Sequence, residues 1–281
     1  MADHCYADRD QFWRYLADQG ADAWRDDDTL VLALLRAASR TVDGFCRRTG
    51  AAHVTSGFGP RFDVHWYDPV THDLDFDDDL LNLSALEVAQ TTGGPLTPWT
   101  SGVHYLLQPY TRLPQRTLVV LAGSALPRGL RLVRATGKWG YDDTRTAAIA
   151  ATVAAGGWSA DAASIAFGGD ASFVAIGQTL WCEAEALLVV DLTSAGASVI
   201  RGAHGTTAAP HAQGTALHVQ AYDPSVTLAT LQIALRRWKH RAVGLSGDYG
   251  GVGGVPSVSE KAVENDILRS LVGHLAFVGG G

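Results

Sequence analysis

Short alternating apolar runs, Ala163-Ser-Ile-Ala-Phe167, Thr179-Leu-Trp-Cys-Glu183 and Ala186-Leu-Leu-Val-Val-Asp-Leu192, stand between turn residues at Gly168-Gly-Asp170, Gly177 and Ser194-Ala-Gly196. Runs this short, cut by glycine, form strands and hairpins. The densest stretch follows, Arg201-Gly-Ala-His-Gly-Thr-Thr-Ala-Ala-Pro-His-Ala-Gln-Gly214. Together they predict a small all-β module over 159–221. The flanks, 1–158 and 222–281, read as two parts of one other domain, so the module reads as an insertion. Insertions are tolerated where the parent fold does not depend on them, so exchanging 159–221 for a Gly/Ser linker is expected to leave a soluble, helical protein.

The flanks carry helical periods. Asp8 to Ala17 places Phe12, Trp13 and Leu16 on one side. The aspartates at 26 to 28 supply a cap for a helix over 29–48, in which Val31, Leu34, Leu35, Ala38, Val42 and Phe45 recur at three and four and Gly50 signals the end. Ser225 reads as the cap of a later helix with Leu228, Leu231, Leu235, Trp238 and Ala242 as its stripe. Beyond the glycine loop at 247–254, Ser257-Val-Ser-Glu260 is a capping box for a last helix. From 53 to 135 short extended pieces, such as Arg61 to Tyr67, Leu80 to Leu83, Val103 to Leu107, Thr117 to Leu121 and Leu130 to Ala135, predict a small sheet. The Ala-rich stretch 144–155 reads as helical. The expected class is α+β, a helical core with a small sheet and an inserted all-β module.

Of 281 residues 18% are charged, and the net charge of −7 offers no clustered cation for general binding of nucleic acid. Cys5, Cys46 and Cys182 are few and far apart, which suits a reducing compartment and small core residues rather than a disulfide framework or zinc ribbon. The opening residues do not form a signal peptide, and no stretch approaches the ~18 apolar residues of a membrane helix. Synthesis and assembly in cytoplasm are expected.

Candidate chemistry is sparse. His204-Gly-Thr-Thr-Ala-Ala is similar to the histidine motif of subtilisin-like proteases, but the companion nucleophile and acid motifs are missing, so a serine hydrolase is the remote reading and His204 is assigned to a surface turn. Substituting it with Ala is then expected to change little. His204, His211 and His218 are spaced by seven, wider than structural zinc sites, and are read as surface or turn histidines. Asp73 to Asp79 lacks the glycine and final glutamate of a calcium loop and reads as a turn leading into a strand. No phosphate-binding, metalloprotease, nucleophile-elbow or dinucleotide motif is present, and Asn82-Leu-Ser84 carries no weight without secretion. No cofactor or metal is expected. One basic cluster, Arg236, Arg237, Trp238, Lys239 and Arg241, either contacts a partner or is a solvated helix face.

Two resemblances bear on function. Leu34-Leu-Arg-Ala-Ala-Ser-Arg-Thr-Val-Asp-Gly-Phe-Cys-Arg-Arg48, Leu74-Asp-Phe-Asp-Asp-Asp-Leu-Leu-Asn-Leu-Ser-Ala-Leu86, Tyr105-Leu-Leu-Gln-Pro109 and Val133-Arg-Ala-Thr-Gly-Lys-Trp-Gly-Tyr141, followed by C-terminal helices, resemble in order and spacing the head-to-tail adaptor (connector) proteins of tailed double-stranded DNA bacteriophages. Gly177-Gln-Thr-Leu, Glu183-Ala-Glu-Ala-Leu-Leu-Val189 and Val199 to Gly214 resemble a β-module recurrent in phage structural proteins. There Gly202 and Gly205 allow positive φ, while Arg201 and His211 can donate hydrogen bonds that lock the loop. The resemblance implies a homo-oligomeric ring of about twelve subunits around a closed axis. Such a ring, in the neck of the virion, contacts the portal protein and a tail or tail-terminator protein and lets DNA through without specific binding or catalysis. Another phage tail or decoration protein, sharing only the β-module, is the alternative.

Overall fold

The computed structural model describes residues 4–17, 27–46, 57–62, 66–68, 73–126, 132–139, 146–194, 196–243 and 260–275. Two compact units divide the chain. One joins Met1–Cys46 to Arg145–Gly273, and the other joins Arg47–Thr144 to His274–Gly281.

The second unit is an antiparallel sheet of β1 (Gly57–Phe62), β2 (Trp66–Asp68), β3 (Asp73–Ala89), β4 (Leu96–Trp99), β5 (Tyr105–Gln108), β6 (Gln115–Val120) and β7 (Val133–Trp139). The order is β1-β7-β3-β6-β5, with β2 and β4 also on β3. Leu74, Phe76, Leu80, Leu86 and Val88 of β3 enter one core with Leu118 and Trp139. Register shifts between Leu80 and Asn82 and between Leu83 and Ala85 mark bulges that re-aim the side chains along this strand. The aspartate-rich stretch read as a turn is therefore the start of the central strand. Its acids find partners on β6, where Asp75 accepts from Thr117 Oγ1 at 2.8 Å and buried Asp79 pairs with Arg116.

The first unit contains a closed antiparallel barrel of β8 (Thr146–Val153), β9 (Ser164–Gly169), β10 (Thr179–Cys182), β11 (Glu185–Thr193), β12 (Gly196–Ala203) and β13 (Ala216–Gln220), in the order β10-β11-β12-β9-β8-β13. Closure leaves no unpaired edge. Val153, Ile165, Leu180, Leu187, Val199 and Leu217 fill the interior with Trp158. β8 corrects the helical reading of 144–155. Alanine favours helix in isolation, but here Ala151 and Val153 point inward and a partner strand crosses closely, since a Cβ on Gly169 would lie 2.5 Å from Ala150 O. Pairing with β9 and β13 outweighs the intrinsic preference.

Helices α1 (Arg9–Ala17), α2 (Asp28–Phe45), α3 (Pro224–Val243) and α4 (Glu260–Arg269) belong to the barrel's unit. Asp8 and Gln11 cap α1 reciprocally, Gln11 N donating to Asp8 Oδ1 at 2.7 Å and Asp8 N to Gln11 Oε1 at 3.0 Å. Asp27 caps α2 by accepting from Leu30 N. At α3 the cap is Asp223, which accepts from Ser225 N at 2.9 Å, and Pro224 takes the first helical position, so Ser225 lies inside the helix. Val31, Leu35, Ala38 and Val42 of α2 are buried, as are Val226, Ala229, Ile233 and Ala234 of α3, while Leu228 is exposed. Trp238 closes the seam edge-on to Phe12 and Trp13, with ring centroids 5.7 and 5.3 Å away. The expected terminator Gly50, the glycine loop at 247–254 and Ser257 of the capping box lie outside the described residues.

A helical core carrying a small sheet is thus not what the chain builds. The fold is mostly β, with two sheets, and α1 and α4 span only nine and ten residues. Helices this short hold only by docking, so a core cannot be made from them. Where 159–221 was read as an insert beside a helical domain, the barrel includes β8 ahead of that stretch and shares its unit with the helices, and the intervening segment is Arg47–Thr144.

Candidate functional site

Glu185 opens β11 with its carboxylate inside the unit, only 1% exposed. Arg201 of β12 grips it in parallel, Nε to Oε1 and Nη2 to Oε2, both at 2.7 Å. Two backbone amides, of Gly202 and Ala209, donate to the same carboxylate at 3.1 and 2.9 Å, and His211 Nε2 lies 2.8 Å from Oε2. The remaining guanidinium hydrogens go to the carbonyls of Ser159, Ala162 and Ala209. A two-pronged arginine pair is rigid as well as strong, so one carboxylate fixes three separate stretches of loop.

The backbone turns that deliver these groups need left-handed conformations. Gly202 has φ +63°, and a Cβ there would sit 2.9 Å from Thr206 O. Gly205 follows at φ +76°. Thr206 Oγ1 then accepts from Ala186 N and donates to Ala203 O, tying the loop to the start of β11. Glu183, in the two-residue turn joining β10 and β11, has φ +52°, which is strained for a residue with a Cβ. Its carboxylate meets His211 Nδ1 at 2.9 Å. Main-chain bonds of 2.9 Å in both directions between Trp158 and His211 complete the clamp.

The structure thus brings Arg201, Gly202 and His211 together around Glu185, with Gly205 shaping the same loop. Glu185 itself carries no role in the sequence reading. Its signal was phase, because Glu185 shares the inward alternation of β11 with Leu187 and Val189, where a lone carboxylate requires a buried cation. His204 is not on a surface turn. It is fully buried at φ +57°, 3.3 Å from the hydroxyls of Thr179 and Tyr222 and stacked on Tyr222. Replacing His204 with Ala is therefore expected to cost about 2 to 4 kcal/mol through the cavity left behind. Urea unfolding followed by tryptophan fluorescence measures this, and a change below about 0.5 kcal/mol would match a surface site instead.

The basic cluster is dispersed. Trp238 is buried, Arg237 donates to Thr41 Oγ1 of α2 at 2.8 Å, Arg236 and Lys239 are half-buried, and the side chain of Arg241 lies outside the described residues. His218 is half-buried on β13, apart from the clamp made by His211.

Charge in the site is settled by its own partners. Burial pushes the Glu185 carboxyl up, but the bonds from Arg201, Ala209 N, His211 and Gly202 N outweigh it and bring the group down to about 2. Cys182 is driven to about 12 by burial and the neighbouring carboxylates of Glu183 and Glu185, so it stays a thiol at neutral pH and lacks the thiolate a nucleophile needs. Among the described residues no group of His, Cys, Asp and Glu is arranged to hold a metal, and no helix is long and apolar enough to cross a membrane. The site's evident capacity is mechanical, the fixing of a long loop against a barrel.

No family model, curated protein or solved structure matches the chain.

Proposed function

We propose that this chain is a non-enzymatic structural subunit of the virion neck of a tailed double-stranded DNA bacteriophage, forming a ring between the portal of the head and the tail. The observation that carries the reading is the closed network on Glu185. Arg201, Gly202 and His211, the residues of the stretch that resembles the recurrent phage β-module, direct their polar groups to that carboxylate and to nearby backbone. A loop held this way suits a component that must keep its shape under load, and it favours the structural reading over a hydrolase. The order of segments similar to head-to-tail adaptors supports the neck over other virion sites, although the helical core of that comparison does not carry over.

In a ring, the net charge of −7 suits a lumen past which a polyanion slides, since each added phosphate contact would hold the duplex. Arg236 and Lys239, half-buried like Arg237 but not engaged as it is with Thr41, are the side chains of that cluster offered to a portal or tail partner. The protein mixed with its portal should give, by electron microscopy, a closed ring of about twelve copies seated on the portal. Absence of portal binding, with the protein instead on the tail tube or capsid surface of virions, would replace the neck reading by the tail or decoration one.

A further inference from the structure

Five consecutive residues ahead of α1, His4 to Asp8, are buried although none is helix or strand. They form a strap bonded to three parts of the unit. Toward α2, Tyr6 N donates to Ser39 Oγ at 3.0 Å and the Tyr6 hydroxyl bonds Asp43. Toward α3, Thr227 Oγ1 donates to Tyr6 O at 3.0 Å. Toward the segment entering β10, Arg9 N donates to Ile176 O at 2.8 Å and Gln178 Nε2 to Asp8 Oδ2 at 3.1 Å. Gly177 permits this approach, because a Cβ there would press on Ala7 O at 3.3 Å.

The strap's first described residue is a histidine among charges. Arg40 Nη2 of α2 lies within reach of both ring nitrogens of His4, 2.9 Å from Nδ1 and 2.5 Å from Nε2, and 2.9 Å from Asp43 Oδ2, while His4 Nε2 lies 3.3 Å from the same carboxylate oxygen. A guanidinium only donates, so the ring can accept from it only while one of its two nitrogens keeps a lone pair, as in neutral imidazole. Protonation would turn that bond into a clash of two cations. Among the described residues, the other titratable groups in or against the strap include His204, with its ring 5.3 Å from that of His4, Tyr222, Tyr6, Cys5 and Asp8, the last also facing Asp10 and Arg14. Among the described residues the carboxylate facing His4 is that of Asp43, which is also paired with Arg40. A pocket of about 190 Å³ beside the strap, lined by Cys5, Asp8, Gln178, Gln220 and Thr227 among others, gives solvent a route in.

We propose that the strap is an acid-sensitive latch, held closed by neutral His4 and released from α2, α3 and the barrel when His4 is protonated against Arg40 and His204, while the barrel stays folded. The direction agrees with burial, Arg40 and His204, which together hold His4 well below its ordinary value. A buried histidine with a lowered folded value binds its proton better once released, so closure is complete above the unfolded value near 6.5 and weakens as pH falls below it. Asp8 acts oppositely, because burial raises its carboxyl and its protonation favours closure. As pH falls from 6.5 to 5 the open fraction should then rise, with a slope approaching about tenfold per unit at the acid end.

Cys5, 1% exposed within the strap, reports opening, and Cys182 inside the barrel reports global unfolding. The probe is 4,4′-dithiodipyridine, with labelled peptides resolved by mass spectrometry and rates normalised to urea-unfolded protein at each pH. Expected is a rise in Cys5 labelling of about tenfold or more between pH 6.5 and 5 with Cys182 still protected, and a flat profile in His4→Gln. The proposal is overturned if Cys5 stays protected to pH 5, if Cys182 is labelled in step with it, or if His4→Gln keeps the slope. Should that variant not fold, hydrogen exchange on the unaltered protein decides. The Tyr6 and Arg9 amides must lose protection below pH 6.5 ahead of the amides of β11, and simultaneous loss would sink the latch.

Discussion

Replacing residues 159–221 with a Gly/Ser linker should unfold the barrel's unit, whereas replacing Arg47–Thr144 in the same way should leave it folded. The first exchange removes β9 through β13 and strands β8 without either of its partners. It also removes Ile176 and Gln178, to which the strap and the start of α1 are bonded, and His204 and Thr179, the ring and hydroxyl partners of Tyr222. What remains of the unit is helices of nine, eighteen, twenty and ten residues, too little apolar surface to sustain them alone. The second exchange takes out every strand of the β1 to β7 sheet and none of the barrel. A linker of about 15 residues, averaging roughly 20 Å end to end, reconnects the chain at Cys46 and Arg145. Circular dichroism and urea unfolding should show one cooperative transition for the second variant and none for the first. Cooperative helical folding of the 159–221 deletion would reverse this division of the chain.

Glu185→Ala should be among the most damaging single substitutions, costing about 3 to 5 kcal/mol, because it leaves a buried guanidinium facing no carboxylate and takes away the partner of His211 Nε2, whose Nδ1 keeps Glu183. Arg201 is only 8% exposed and cannot swing into water without abandoning the carbonyls of Ser159, Ala162 and Ala209. Removing both charges together with apolar residues of similar size, Glu185→Leu with Arg201→Met, should recover only part of the loss, since the uncompensated guanidinium is gone but the amides of Gly202 and Ala209 and the carbonyls of Ala162 and Ala209 lose their partners. Acid supplies an independent check. A carboxyl held at about 2 against an ordinary 4.5 contributes its full stability above pH 4.5 and loses it as pH falls toward 2. The gap in urea midpoint between wild type and Glu185→Ala should therefore narrow over that window. A gap that is small at pH 7, or unchanged by acid, would mean that Glu185 is not the centre of the loop.

Much of the local structure could be read from residues alone because its causes are local. The recurrence of Val31, Leu35, Ala38 and Val42 after three acids predicts α2 nearly to its ends, and turn glycines bracket β9 and β10 as expected. Arg201, Gly202, Gly205 and His211 stand out by spacing, for a left-handed turn flanked by strong donors has few other uses. Which elements share a core is a different kind of fact. The stripe on α3 demands cover but does not name it, and the strap, Phe12 and Trp13 supply part of that cover from more than two hundred residues away. The alanines of β8 carry no period, so only the pairing of that strand with β9 and β13 decides against helix. His204 follows a glycine turn as any surface histidine could, and its burial comes from Thr179, Tyr222 and His4, brought there by closure of the barrel and the strap. Glu185 becomes the centre of the site for the same reason. Its cation lies on the next strand and its histidine contact arrives through a loop, so its role exists only once the barrel has closed.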